Sequence, residues 1–185
     1  MNMYAAIRTR NTSKKNLDKL NSTSIEKVSP KDWARIKDQM MPLEHKIFDK
    51  DRAFDELNDF KQTFTNPRAI NLVVYNGDAK TIIGYLIAQP LVDTECHTGV
   101  HNRKGIMYLE SVGILPKYQG QGIGYRLMNA LLLFTSLQKK YRGVLLDSTS
   151  DGMYKLAKKF KFKTLRYNYG HCYGGAKMMW RGKKW

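Results

Sequence analysis

The chain of 185 residues predicts an α/β fold, and three observations carry that reading. Short apolar runs rich in β-branched residues alternate along the sequence with longer runs of helical period. A glycine-rich segment, Gln119-Gly120-Gln121-Gly122-Ile123-Gly124, separates a strand-like run, Ile106 to Leu115, from a helix-like run, Tyr125 to Lys140. The composition, 42% hydrophobic and 11% aromatic, suits a chain of this length that buries one core.

The elements follow in order. Met1 to Ser24 has five basic residues, Arg8, Arg10, Lys14, Lys15 and Lys19, against Asp18, and reads as a flexible basic arm over 1–23 ahead of a folded domain over 24–185. Ser24 to Val28 is a short strand, and Ser29-Pro30-Lys31-Asp32 starts a helix with Ser at the cap and Pro in the first turn. Arg52 to Phe64 is a second helix, whose Phe54, Leu57, Phe60 and Phe64 form a core stripe and which Asn66-Pro67 stops. Ile70 to Tyr75 and Thr81 to Ala88 are strands joined through Asn76-Gly77-Asp78, and Pro90 ends the pair. After the strand ending at Leu115, the long helix turns Leu127, Leu131, Phe134 and Leu137 inward. Val144 to Asp147 is a strand, Ser150 to Phe160 a helix, and Phe162 to Tyr167 and Lys177 to Arg181 are the last two strands.

The glycine segment is built for an anion. Glycines at alternating positions let the backbone approach a ligand, and the free N–H groups of a helix's first turn point at negative charge. Tyr125 stands where a dinucleotide G-x-G-x-x-G needs its last glycine, and no Gly-Lys-Ser/Thr follows for a Walker loop. The pattern Q-x-x-G-x-G remains; a pyrophosphate fits it, and a glycine-rich turn between a strand and a helix is the plain alternative.

Together with the strand before it, Leu109 to Tyr118, this segment resembles the acyl-CoA signature of the GNAT superfamily of N-acetyltransferases. The resemblance implies a mixed, mostly antiparallel twisted sheet flanked by helices, with a β-α acyl-CoA pyrophosphate loop, and acetyl-CoA as cosubstrate for transfer to an amine. It assigns the pantetheine arm to Val112, Gly113 and Ile114. The pyrophosphate falls to Gln119, Gly120, Gln121, Gly122, Ile123 and Gly124, with Tyr125 just beyond. For the acceptor's proton, Glu110 on the same strand is the candidate base; a Glu on a strand's solvent face is the plain alternative.

The family's Asn-x6-Tyr ahead of a Gly-Phe pair is altered here. Counting back from Lys161-Phe162, its Asn position falls on Ser150 and its Tyr position on Ala157. Ser150 either donates to the cofactor or caps the helix. Ala157 has no proton to give, so Tyr154, one turn earlier on the same face, and Tyr173 in the tail loop are the candidate acids. The tail, Tyr167 to Gly175, either borders the acceptor through its aromatics and His171 or is an aromatic hairpin.

Cys96, His97, His101, His171 and Cys172 match no standard metal spacing, and no metal is expected. Two cysteines without C-x-x-C favour a reducing, cytoplasmic setting, and no apolar run is long enough to span a membrane. After Glu110 there are fifteen Lys or Arg and two acids, Asp147 and Asp151, so 15 − 2 = +13 of the +16 formal charge lies in the last 75 residues. That excess suits nucleic acid or another polyanion, or else a solvated face. Two functions stay open: an N-acetyltransferase acting as monomer or homodimer on an amine of a protein, small molecule or nucleic-acid-bound species, and a nucleic-acid module of the same fold with altered or lost transfer.

Overall fold

The computed structural model describes residues 23–48, 57–77, 80–94, 104–169 and 176–182. Seven strands, β1 (Ser24–Val28), β2 (Ile70–Tyr75), β3 (Ile82–Pro90), β4 (Ile106–Ile114), β5 (Gly143–Ser148), β6 (Lys163–Tyr169) and β7 (Ala176–Gly182), form one sheet in the order β1-β2-β3-β4-β5-β7-β6. Every neighbouring pair is antiparallel except β4 with β5. Among the described residues, four α-helices flank it: α1 (Trp33–Ile47), α2 (Leu57–Thr65), α3 (Ile123–Leu137) and α4 (Asp151–Lys159).

Side-chain alternation along the strands sends two sets of apolar residues to opposite faces. Met107 and Leu109 of β4 join Leu127 and Leu131 of α3 and Ala157 of α4 on one face. On the other, Val73, Tyr85 and Ile87 meet Ile36, Met40 and Leu43 of α1 and Phe60 and Phe64 of α2. The ring of Phe60 packs edge-on against Tyr85 at 5.7 Å. Ile106 and Tyr108, which alternate with Met107 and Leu109, carry this second face on to Leu145, Met178 and Trp180.

Several boundaries differ from the sequence reading for local reasons. The turn Pro30–Asp32 is 3-10 and passes into α1 at Trp33, with the Ser29 amide and hydroxyl both donating to the Asp32 carboxylate at 2.8 and 2.6 Å. Only part of the second helix is described, from Leu57, and Leu57 itself is exposed, so the core stripe reduces there to Phe60 and Phe64. Pro90 does not stop short of the sheet but pairs with Met107 as the last residue of β3. Helix α3 starts at Ile123, two residues earlier than the apolar period indicates, and stops at Leu137. Leu137 is 62% exposed; the i, i+4 row Leu127, Leu131, Thr135 takes the buried stripe, and the Thr135 hydroxyl is satisfied by the Leu131 carbonyl at 2.8 Å.

Candidate active site

The glycine loop is shaped by two left-handed residues. Gly120 has φ +73° and Gly122, the N-cap of α3, has φ +81°. Only glycine takes these values without strain. The first backbone bond at this end runs from the Arg126 N–H to the Gly122 carbonyl, 3.1 Å, so the amides of Ile123, Gly124 and Tyr125 belong to the turn that has no intrahelical acceptor. A Cβ on Gly120 would meet nothing within 4 Å, which makes the loop an open cradle. The side-chain amide of Gln119 donates to the Ile114 carbonyl at 2.9 Å and that of Gln121 to the Lys117 carbonyl at 3.0 Å, tying the loop to the end of β4. Tyr125 stacks on Phe160 of the α4 C-cap, ring centroids 4.6 Å apart. A pyrophosphate fits this geometry: open space, convergent amides and a helix N-terminus.

Next to the loop the sheet forks. The parallel strands β4 and β5 pair from Ile106↔Gly143 to Leu109↔Leu146 and no further, although β4 runs on to Ile114 and β5 to Ser148. Among the described residues, the edge of Ser111 to Ile114 that faces β5 therefore has no strand on it, an edge that suits an extended ligand such as a pantetheine arm. Val112 and Ile114 pack on the α3 side. Gly113 has a packing reason as well: a Cβ there would lie 2.6 Å from the ring of Tyr85 and 3.0 Å from Ile47.

Glu110 stands where the fork opens, and a bulge places it. Ile87 pairs with Ser111 and Ala88 with Leu109, so two steps on β4 match one on β3 and Glu110 is the extra residue. The bulge shifts the alternation: Leu109 faces α3, yet so do Val112 and Ile114, while Glu110 and Ser111 both turn to the α1/α2 face. There Gln89 Nε2 donates to Glu110 Oε2 at 2.9 Å, and Tyr85 Oη lies 3.0 Å from Ser111 Oγ. The Tyr85 hydroxyl also donates to Glu44 of α1, a carboxylate 1% exposed. Burial, reinforced by the Glu44 charge, pushes the Tyr85 phenol well above its ordinary value and keeps it a donor. One pair before the fork, the Tyr108 hydroxyl donates to Asp147 of β5 and clamps the vertex. Nothing local in the sequence marks Glu44, Gln89 or the Tyr108–Asp147 pair, because their partners are 21 to 41 residues away.

The α4 candidates lie beyond the end of β5. Ser150 is the N-cap, accepting from Met153 N–H at 3.4 Å. Ala157 is fully buried in the α3-side core. Tyr154 is half-buried, with Lys177 Nζ 4.5 Å and Lys158 Nζ 5.4 Å from its ring centroid. Because Lys177 pairs across from Ser148, Tyr154 sits at the open end of the fork. Lys161, where the family pattern has Gly, takes φ +62° to close the helix, with Phe162 N–H bonded to the Ala157 carbonyl at 3.1 Å. Tyr173, His171, Cys172, Cys96, His97 and His101 lie outside the described residues, within which no group of three His, Cys, Asp or Glu side chains could hold a metal. No helix among those residues is long and apolar enough to cross a membrane.

An open glycine loop at a helix N-terminus lies beside a forked parallel pair, and the family comparison gives the class. Residues 33–162 match the family model described as Acetyltransferase (GNAT) family, and the chain belongs to that family. The fold is shared with NAA60 of Arabidopsis thaliana, solved with a bisubstrate analogue, at 18% identity and a TM-score of 0.64 over 86% of this chain and 97% of that one. It is shared equally with the ribosomal-protein-S18-alanine N-acetyltransferase of Escherichia coli, at 16% identity and 0.63 over 86% and 93%. The aminoglycoside acetyltransferase AAC(6')-Ib in complex with coenzyme A gives 14% and 0.63 over 88% and 95%. No curated protein matches the sequence, so at these identities the likeness to solved structures is one of fold.

Proposed function

We propose that this protein is an N-acetyltransferase that moves an acetyl group from acetyl-CoA to a primary amine. The observation that carries the reading is the fork. The pyrophosphate loop opens α3 on one face of the sheet, Glu110 turns to the other, and the unpaired edge of β4 connects them. Gln119 to Tyr125 would hold the pyrophosphate and Val112 to Ile114 the pantetheine, while Ser150 caps α4 at the rim. Bound acetyl-CoA supplies an activated thioester. Glu110 takes the proton that the acceptor amine loses as the amide forms, directly or through one water, and a phenol, Tyr154 or Tyr173, returns a proton to the departing sulfur. Incubation with acetyl-CoA followed by native mass spectrometry tests the cosubstrate. Transfer of labelled acetyl to a panel of peptide N-termini, polyamines and aminoglycosides then tests the reaction. Glu110→Gln is expected to retain binding and to lose roughly 10²–10⁴-fold in turnover; no bound acetyl-CoA, or full turnover in the variant, refutes the respective half.

A second feature favours an acceptor carried by a polyanion. Lys155, Lys158 and Lys159 on α4, Lys161 in the turn after it and Lys163 at the start of β6 are all exposed. The two acids of this half are engaged, Asp147 by Tyr108 and Asp151 by Lys177 at 3.5 Å. The surface charge of that face is therefore not neutralised from within, and nucleic acid or another polyanion is the partner we propose, in a soluble cytoplasmic protein that is monomeric or homodimeric. Mobility shifts with RNA and DNA that weaken steeply with salt are expected; no shift at low salt refutes it.

A further inference from the structure

Asn66 reads in the sequence only as the residue that ends α2 before Pro67. The structure gives its side chain three bonds. Asn66 Oδ1 accepts from the backbone N–H of Arg68 at 2.9 Å, while Nδ2 donates to Gln89 Oε1 at 3.2 Å and to Asp93 Oδ2 at 3.2 Å. Asp93 is in turn paired with Arg68, and Gln89 Nε2 donates to Glu110. These bonds have an order that chemistry imposes. A backbone N–H only donates, so Asn66 must present its oxygen to Arg68 and its amide hydrogens to Gln89. Gln89, having spent its oxygen on Asn66, must present its hydrogens to Glu110. Glu110 must therefore accept; a carboxylic acid can accept through its carbonyl oxygen too, but a carboxylate accepts more strongly, so the donor favours the ionised form.

We infer that Gln89 and Asn66 are positioning residues that fix a one-way hydrogen-bond relay, from the Arg68 backbone to Glu110, and that orient the bulge carboxyl and favour its ionised form. This rests on the reading of Glu110 as base and adds what keeps it one. Gln89 suits the part: it is 8% exposed, on the last turn of β3 pairing beside the bulge, and its amide has no freedom to flip while Asn66 is held by a backbone donor. Asp93 and its Arg68 partner anchor the far end by giving the second Asn66 hydrogen an acceptor. Among the described residues, Tyr85 of β3, whose phenol feels the charges of Glu110 and of Glu44 on α1, and the Tyr108–Asp147 pair of β4 and β5 are titratable groups on the elements around Glu110, and the substitutions below leave all of them in place.

The test is a 13C NMR titration of the Glu110 side-chain carboxyl, assigned by its loss in Glu110→Gln, in the wild type, Gln89→Met and Asn66→Ala. Gln89→Met keeps the volume and deletes the donor, and its titration midpoint is expected to rise by about one pH unit. Asn66→Ala never touches Glu110, yet frees the Gln89 amide to turn, and a smaller rise of about half a unit is expected. The acid limb of the transfer rate should shift in step. A Gln89→Met midpoint within about 0.2 unit of the wild type, with unchanged circular dichroism, overturns the relay. Should Asn66→Ala be too unstable to titrate, Gln89→Met decides alone. The two readings fail separately: an active Glu110→Gln removes the base, whereas the midpoints judge the relay whatever the activity.

Discussion

Replacing Gly120 with Ala separates the two jobs a glycine loop can have. The new methyl group meets no atom within 4 Å, so no packing penalty arises, but the residue must hold φ +73°. A left-handed alanine costs about 1–2 kcal/mol, partly offset by about 0.4–1 kcal/mol from its stiffer unfolded chain. The net loss of stability is then about 1 kcal/mol, a fall of roughly 2–4 °C in Tm for a chain of this size. Binding is expected to suffer far more. The methyl enters the space that the cradle leaves open, and a backbone shift that misdirects one amide from the pyrophosphate forfeits a charge-assisted bond of about 1.5–3 kcal/mol, or roughly 10–100-fold in affinity. Gly124→Ala is the control. Its Cβ would make ordinary contacts, 3.4 Å to Leu156 and 3.5 Å to Ile114, inside a helix turn. Calorimetry with acetyl-CoA should show the loss in Gly120→Ala and an affinity within about threefold in Gly124→Ala. Wild-type binding by Gly120→Ala would refute the assignment of the cradle.

Lys161→Gly should stabilise the protein by about 1 kcal/mol in urea denaturation, because φ +62° at the end of α4 is strained for lysine and free for glycine. A decrease in stability would show that the lysine side chain outweighs the strain. The pH dependence at the start of α1 has a definite sign. The hydrogen bond from the Ser29 hydroxyl, then that from its amide, hold the Asp32 carboxyl below its usual value, so the stability they contribute is present above about pH 4 and is lost as the pH falls through the lowered value. Ser29→Ala should thus be less stable than wild type at pH 7 and converge with it near pH 2, read by thermal melts across that range; a constant gap would exclude the carboxylate as the source.

Local chemistry explains what could be read without coordinates. Glycines at 120, 122 and 124 after an apolar run, Ser29-Pro30 before a helical period, and Asn76-Gly77 between two β-branched runs each act over a few residues, so the order of strands and helices and the place of the glycine loop are written in the chain itself. The limits of α3 were harder to see, because the left-handed Gly122 admits Ile123 and Gly124 to the helix although apolar spacing begins later. Leu137 misled for a related reason: an apolar residue off the i, i+4 row is as apolar as one on it, and only packing says which is covered.

The family and the place of the glycine loop between β4 and α3 are legible in the chain, since both depend on neighbouring residues. Tertiary structure decided the rest. Which faces the residues after Glu110 take follows from a bulge that exists only because β3 and β4 pair out of step by one residue, and strict alternation from Leu109 would have placed Ser111, Val112 and Ile114 on the wrong faces. The partners that orient this carboxylate come from the end of α2, the end of β3 and a backbone amide at Arg68. Hydrogen bonds need groups within about 3 Å, and no spacing rule along one strand reports which distant residue the fold will bring that close.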